Sequence, residues 1–374
     1  MRALDRFRAL DPGILWTTLG LLVFGLVMLL SATGPVALSR SGSSLYFVKH
    51  QLTNGILPGL IAFFTLALID YRVWRRFALF ALIGSLIALT LVFIPGIGLE
   101  LGGARGWIDL GAFTIQPTEF VKLTFLIYLS AWLANREGQR DHHTLENGLI
   151  PFLAALGAVM LLVILQPDTG SMAVIVLMSL FVYFLSGAPV VWFAGLSVMG
   201  IGMLTLLIRH SQYRARRFTA FLHPELDPLG VGYHINQAIL AVGSGGWFGL
   251  GYGHSRQKFL YLPEVEADSI SAVIAEELGF VIMLALLLVF AGLIWRCFTI
   301  SREARDPFGR YIAAGVGVWI AVQLFLNVGS MTGLMPMTGV TLPLISHGGS
   351  AMVSLLAALG LLAGIPRSNN ARVR

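Results

Sequence analysis

Glu264, Glu266 and Asp268 occupy alternate positions in Tyr261-Leu-Pro-Glu-Val-Glu-Ala-Asp268, directly before a long apolar run. Carboxylates crowded at the edge of a low-dielectric medium repel one another and lose solvation, and both effects raise proton affinity. That is how an aspartate becomes a general base near neutral pH. Asp268 is the favoured residue for that role, and Glu264 and Glu266 are neighbours that tune it. A simpler role for Asp268 is to cap the helix that starts there. A third is to hold a divalent cation, Mg or Mn, together with a neighbour.

Other stretches offer chemistry of their own. Gln116-Pro-Thr-Glu-Phe-Val-Lys122 sets Glu119 and Lys122 at i,i+3 on one helix face, where charges near an apolar segment need a partner or a polar cavity. Asp168, in Gln166-Pro-Asp-Thr-Gly170, reads as a helix cap. His347 lies in Pro343-Leu-Ile-Ser-His-Gly-Gly-Ser350 without a second histidine at metal-ligand spacing, so it is a loop residue or a substrate contact. The glycine-rich run Gly243 to Gly253 lacks the GxxxxGK[ST] pattern of nucleotide loops and reads as a tight turn, a re-entrant hairpin, or amides set beside a lipid diphosphate. Arg209 to Arg217 form a basic run that either anchors headgroups or recognises a polyprenyl phosphate through arginine forks. Glu276 and Glu277 fall deeper in the apolar run, where at least one must face protein or water.

The elements that position these residues are membrane spans. The 374 residues are 56% hydrophobic and 12% charged, with mean hydropathy +0.80. A single cysteine, Cys297, excludes intrachain disulfides and paired-cysteine metal sites. Crossing the hydrocarbon takes about 20 apolar residues, and ten segments qualify: 13–33, 51–70, 77–95, 118–135, 149–165, 170–187, 189–208, 269–295, 311–331 and 349–366. Backbone in lipid must satisfy its own hydrogen bonds, so the expected fold is an all-α polytopic bundle forming one domain over 1–374. With a cytoplasmic N-terminus, alternate short loops collect Arg72, Arg75 and Arg76, then Arg136 and Arg140, then Arg296, Arg302, Arg305 and Arg310, then Arg367, Arg372 and Arg374. Both termini are then cytoplasmic. Residues 209–268, between the seventh and eighth spans, form a large extracytoplasmic loop too aromatic for disorder. The basic charge belongs to loops at a membrane surface, not to nucleic acid.

Taken together, Gly103-Ala-Arg-Gly-Trp-Ile-Asp-Leu-Gly111, Gln116 to Lys122, Gln166 to Gly170, Gly232-Tyr-His-Ile-Asn-Gln237 with Ala241-Val-Gly-Ser-Gly-Gly246, Gln257-Lys-Phe-Leu-Tyr-Leu-Pro-Glu264 and Gly339 to Ser350 resemble the SEDS family, the shape, elongation, division and sporulation proteins of the FtsW, RodA and SpoVE type. The likeness runs in order along nearly the whole chain, and Thr341-Leu-Pro-Leu-Ile-Ser is nearer the FtsW and SpoVE branch. It implies a peptidoglycan glycosyltransferase of the bacterial cytoplasmic (inner) membrane. Such an enzyme polymerises lipid II onto a growing glycan strand beside a class B penicillin-binding protein. The family's essential aspartate, at the end of its Pro-Glu-x-His-Thr-Asp motif, falls on Asp268, and Glu119 and Lys122 match its polar cavity pair. The substrate-binding set expected around Asp268 is Arg105, Glu119, Lys122, Arg217, Gln237, Ser244, Lys258, Glu264, Ser346 and His347. Among these, Arg105, Arg217 and Lys258 are the cations available to a leaving diphosphate. The chain departs from the pattern at Glu266-Ala267 in place of His-Thr, at Ser269 in place of an aromatic residue, at His347 in place of tyrosine and at Thr338 in place of a lysine common in FtsW. Two other functions fit the same composition, a lipid II flippase and a noncatalytic division scaffold.

Overall fold

A computed structural model of the chain describes residues 10–101, 104–111, 113–138 and 144–370. Gly103, His142 and His143, together with the terminal arginines and Arg140, lie outside the described residues. The helices are α1 (Pro12–Ser41), α2 (Tyr46–Leu68), α3 (Arg72–Leu91), α4 (Pro117–Arg136), α5 (Leu145–Leu165), α6 (Thr169–Leu185), α7 (Val190–His210), α8 (Gln212–Leu222), α9 (Val231–Ser244), α10 (Ile270–Glu303), α11 (Pro307–Met331) and α12 (Gly349–Asn370). Eight of them, α1, α2, α3, α5, α7, α10, α11 and α12, are long and apolar enough to cross a membrane. The shorter α6 is also apolar. Charges at Glu119, Lys122 and Arg136 set α4 apart.

The helices α11 and α12 form the centre of the bundle, each with 78% of its most apolar stretch buried, against 6% for α7. In lipid the hydrophobic effect does not drive helices together, so close backbone contact through small residues has to. The pairing of α12 with α2 shows this, because a Cβ at Gly360 would lie 2.2 Å from the Phe63 carbonyl oxygen. At the helix starts, Asp11 accepts from the Ile14 amide at 3.0 Å while Arg296 clamps its carboxylate, and Asp306 accepts from the Gly309 amide at 3.4 Å.

Two departures from the sequence reading concern the site. The chain is not purely helical: β1 (Gly98–Leu101), β2 (Ala104–Asp109) and β3 (Thr114–Ile115) form an antiparallel sheet in the order β1-β2-β3. Glycine and proline disguise a short period-2 alternation there, and Ile108 pairs with both Gly98 and Ile115.

The second departure is a break in α10 at Gly279, with φ 76° and ψ −179°, which only glycine tolerates readily. The freed backbone groups are taken up by the glycine-rich run. Leu250 and Gly251 donate to the carbonyls of Glu276 and Glu277 at 3.0 and 2.9 Å. In return Phe280 and Val281 donate to Gly246 and Trp247 at 2.9 and 3.1 Å. Any Cβ at Gly279 would stand 2.3 Å from the Gly249 nitrogen. Those glycines therefore serve close packing against a broken helix, and this part of the run is not a free anion cradle.

Candidate functional site

Asp268 is the residue before the N-cap of α10 and is 8% exposed. It does not cap the helix, because neither it nor Ser269 places a side chain on the first-turn amides. Its place is fixed through the backbone instead. The Asn327 side chain, on α11, donates to the Asp268 carbonyl and to the Val340 carbonyl, both at 2.8 Å. That single amide ties the loop before α10 to the loop before α12. One turn up the same face of α11, Gln323 donates to the Thr341 carbonyl at 3.0 Å and accepts from Trp319 at 2.7 Å. The Trp319, Gln323, Asn327 spacing is i, i+4, i+8, so one helix stripe carries the scaffold.

Burial, first, and then the Glu264 charge push the Asp268 carboxyl up to about 7, while Arg217, the Ser269 hydroxyl and its own amide pull the other way. Ser269 reaches Asp268 Oδ1 at 3.4 Å, and on its other side lies 2.6 Å from His234 Nε2 on α9. Glu264 is itself exposed and holds a left-handed backbone, φ 50°. Glu266 is buried and turns to Arg40 at 3.2 Å. The carbonyl of Glu266 accepts the His347 amide at 2.8 Å.

The expected site residues divide into those gathered about Asp268 and those engaged elsewhere. Arg217, on α8, donates to the Met337 carbonyl at 3.2 Å, lies over the Tyr213 ring and contributes its charge to Asp268. Ser346 is buried and accepts the Leu342 amide at 2.8 Å, closing the turn before α12. The Ser346 carbonyl is held by Gln51 at 3.1 Å. His347 faces His50 at 3.0 Å, and burial followed by the His50 charge brings its pKa down to about 4. Arg105 stands exposed on β2, and Gln237 is half-buried on α9. Glu119 and Lys122 form a buried pair at 2.7 Å with the ammonium 5.3 Å from the Trp319 ring centroid, and Glu119 Oε2 has no partner.

Lys258 and Ser244 differ most from their expected roles. Lys258 is 3% exposed and bonded to Glu277 at 2.7 Å and to Ser31 at 3.2 Å, so its charge is already neutralised. Ser244 is exposed and returns its hydroxyl to the Ala241 carbonyl at 2.9 Å. Asp168 is a helix cap, accepting from the Ser171 amide at 2.9 Å, and also holds Thr118 at 3.0 Å. Among the described residues no three His, Cys, Asp or Glu side chains gather in a way that could hold a metal ion. Around Asp268 the reason is geometric, since Glu266 faces Arg40. Asp268 and Glu264 are the two carboxylates left there, too few for a cation cage built of protein ligands alone.

The sequence reading gave no site role to His234, Ser269, Asn327, Arg40 or His50, although His234 lies in a quoted motif and Ser269 in a noted departure from one. A signal existed for Asn327, because polar residues at i, i+4 inside an apolar span mark a buried face. His50 and Arg40 meet partners about 300 and 226 positions away, which no local pattern encodes.

A multi-pass helical membrane protein whose buried loop carboxylate hangs from a polar stripe on its central helix is the class that fold and site define. Residues 13–371 match the Cell cycle protein model of FtsW, RodA and SpoVE, and the chain belongs to that family. It is 40% identical over 350 residues to the stage V sporulation protein E of Bacillus subtilis (strain 168), covering 94% of this chain and 95% of that protein. It is 40% identical over 365 residues to a probable peptidoglycan glycosyltransferase FtsW of Thioalkalivibrio sulfidiphilus, covering 96% and 90%. Among solved structures it resembles a chain from a study of polymerization and crosslinking by a peptidoglycan synthase complex, with TM-score 0.78, 27% identity and coverage of 96% and 98%. It also resembles the rod shape determining protein RodA of Thermus thermophilus, with TM-score 0.71, 27% identity and coverage of 96% and 97%.

Proposed function

We propose that this chain is a peptidoglycan glycosyltransferase that polymerises lipid II at the outer face of the bacterial cytoplasmic membrane, with Asp268 as general base. The observation that carries the reading is a buried carboxylate with proton affinity near neutrality and few donors to occupy it. In the reaction, Asp268 takes the proton of the acceptor sugar's 4-hydroxyl. The freed oxygen attacks the donor's anomeric carbon, and the bond to the polyprenyl diphosphate breaks with its electron pair leaving on phosphate. Direct displacement of this kind inverts the carbon and needs one base. Arg217 and Arg105 are the cations left to steady the departing diphosphate, Lys258 being committed to Glu277.

In this reading ten spans cross the membrane, α4 and α6 completing the eight, and both termini are cytoplasmic. Residues 209–268 form an extracytoplasmic cap built on α8 and α9, and a class B penicillin-binding protein acts on the product. A flippase would want free carboxylates deep in the bundle. Glu276 and Glu277, the candidates for that, are bonded into the loop before them. The test is glycan polymerisation from lipid II by the purified protein with its transpeptidase partner, comparing wild type and Asp268→Asn. Loss of about 100-fold or more is expected of a missing base. Polymerisation retained in the variant sinks the assignment, and an inactive wild type that moves lipid across vesicles favours the flippase.

A further inference from the structure

Two polar ties join α1 to α10. At the inner tie Arg296 grips Asp11 at 2.5 and 3.0 Å. At the outer tie Ser31 donates to Glu277 at 2.7 Å, beside Lys258. Between the ties α1 runs as continuous helix, about 30 Å long at 1.5 Å per residue. That is the thickness of the hydrocarbon layer of a bilayer. The exposed faces agree with this placement. On α1 the apolar stripe of Trp16, Leu19, Val23, Val27 and Leu30 lies wholly between the ties. On α10 residues 270–277 are all buried in protein, whereas Phe280, Ile282, Leu284, Leu288 and Trp295 are exposed. The helix therefore leaves the protein interior at its break, level with the outer tie.

The glycine-rich run crosses that level. Trp247 packs edge-on against Phe280 with ring centroids 5.3 Å apart. The Tyr252 hydroxyl donates to the Val27 carbonyl at 2.9 Å, one helical turn inside the Ser31 tie. Trp247 and Phe248 are 68% and 84% exposed, and Leu250 is exposed beside them. Backbone at the lipid edge needs its hydrogen bonds met by protein. Here the groups freed at Gly279 meet them, and Gly249 donates to the Gly245 carbonyl at 2.8 Å.

We propose that residues 245–252 form a re-entrant hairpin seated in the outer edge of the hydrocarbon layer, with lipid acyl chains against Trp247, Phe248 and Leu250. Lipid is the occupant because the hairpin's exposed face continues, through Phe280 and Val27, the apolar faces that α10 and α1 turn outward between their ties. Trp16 and Trp295 flank the inner tie, so exposed aromatics mark both edges of the layer. The seat fixes a height for Asp268, about 12 Å further out along the α10 axis than Glu277. A headgroup layer is about 5–8 Å deep. Asp268 thus stands just past it, level with sugars carried beyond a membrane-anchored diphosphate. The hairpin rests on α1 and α10 crossing the membrane, and the match to sugars rests on the substrate reading above.

Cys297 is buried and is the single cysteine, so Cys297→Ala gives a background in which one introduced cysteine carries a nitroxide label. Val27→Cys, Phe248→Cys and Glu264→Cys, with Leu250→Cys as a second hairpin position, are reconstituted as the full chain in vesicles of phosphatidylethanolamine and phosphatidylglycerol. Relaxation of each label by oxygen, which concentrates in lipid, is compared with relaxation by a water-soluble nickel chelate. Oxygen is expected to dominate at 27, 248 and 250, and the chelate at 264. Chelate-dominated labels at 248 and 250 beside an oxygen-dominated label at 27 overturn the hairpin and leave the spans intact. A chelate-dominated label at 27 removes the spans and the hairpin with them. Shielding of 248 and 250 from both reagents, in the protein alone or once the transpeptidase partner is added, gives the face to protein and overturns the lipid seat. An oxygen-dominated label at 264 overturns the height given to Asp268. None of these readings uses lipid II, so they stand or fall apart from the polymerisation test of Asp268→Asn.

Discussion

Glu277 and Asp268 are buried carboxylates nine positions apart on one segment, and their surroundings are opposite in kind. Glu277 accepts from Ser31 at 2.7 and 2.8 Å, from Lys258 at 2.7 Å, and from the amides of Gly253 and Ser255 at 3.1 and 3.3 Å. Its neighbour Glu276 is similarly supplied by Ser255 and by the amides of Arg256 and Gln257. Asp268 has a hydroxyl at 3.4 Å, its own amide and a more distant arginine. A carboxylate saturated with donors is a structural member. One left short of donors in a buried site holds its proton more tightly and is available for chemistry.

The largest effect that separates them is on stability. Replacing Glu277 by alanine strands the Lys258 ammonium, 4% exposed at its side chain, without its counter-ion. Breaking a buried pair from one side costs about 3–5 kcal/mol. The variant is expected to lose yield and melting temperature in detergent, and Glu277→Ala combined with Lys258→Met is expected to recover part of the loss. A neutral result in the single variant would make Glu277 no more structural than Asp268.

Asp268→Asn moves stability the other way, and pH reveals it. The folded-state pKa is raised from 3.8 to about 7, so between those values the folded protein binds more protons at this group than the unfolded chain does. Its contribution to stability is therefore present at low pH and is lost as pH rises towards 7, at up to about 1.4 kcal/mol per pH unit. Asparagine carries no such loss. At pH 8 the variant is expected to melt at or above the wild type, the margin closing as pH falls to 5, while wild-type polymerisation rises with pH through a single limb near 7. Equal pH dependence of melting in both proteins would show that Asp268 is not held protonated by its site.

This contrast was only partly legible in the sequence. The carboxylate run before an apolar helix drew attention to Asp268, and the Gln-Pro-Asp-Thr-Gly turn was correctly a cap because capping is local. Lys258 was expected to serve a diphosphate since nothing in Gln257-Lys-Phe indicates a partner. The partner lies 19 residues on, reached only because Gly279 breaks α10 and lets the glycine run fold back. The sheet at 98–115 escaped because its strands are short and glycine-rich. The length of the apolar runs exposed the long helices themselves, as it must in lipid, while the seat of the site depends on side chains such as Asn327 whose bonds join distant loops.

The smallest effect belongs to Glu266, the carboxylate between the two kinds. It is buried, yet its cation Arg40 is 62% exposed at the side chain, so water and salt screen the pair. Exposed pairs contribute about 0–1 kcal/mol. Arg40→Ala is accordingly expected to lower the melting temperature little and less still at high salt. It also removes the positive charge that favours ionised Glu264, so Glu264 holds its proton more readily and repels a charge at Asp268 less, and the activity limb is expected to move down in pH by a fraction of a unit. A stability loss as large as that of Glu277→Ala would place Glu266 among the saturated structural carboxylates and leave Asp268 flanked by scaffold on both sides. An unmoved limb with unmoved melting would confine Arg40 to the surface and leave Glu264 and Arg217 as the charges that set the proton affinity of Asp268.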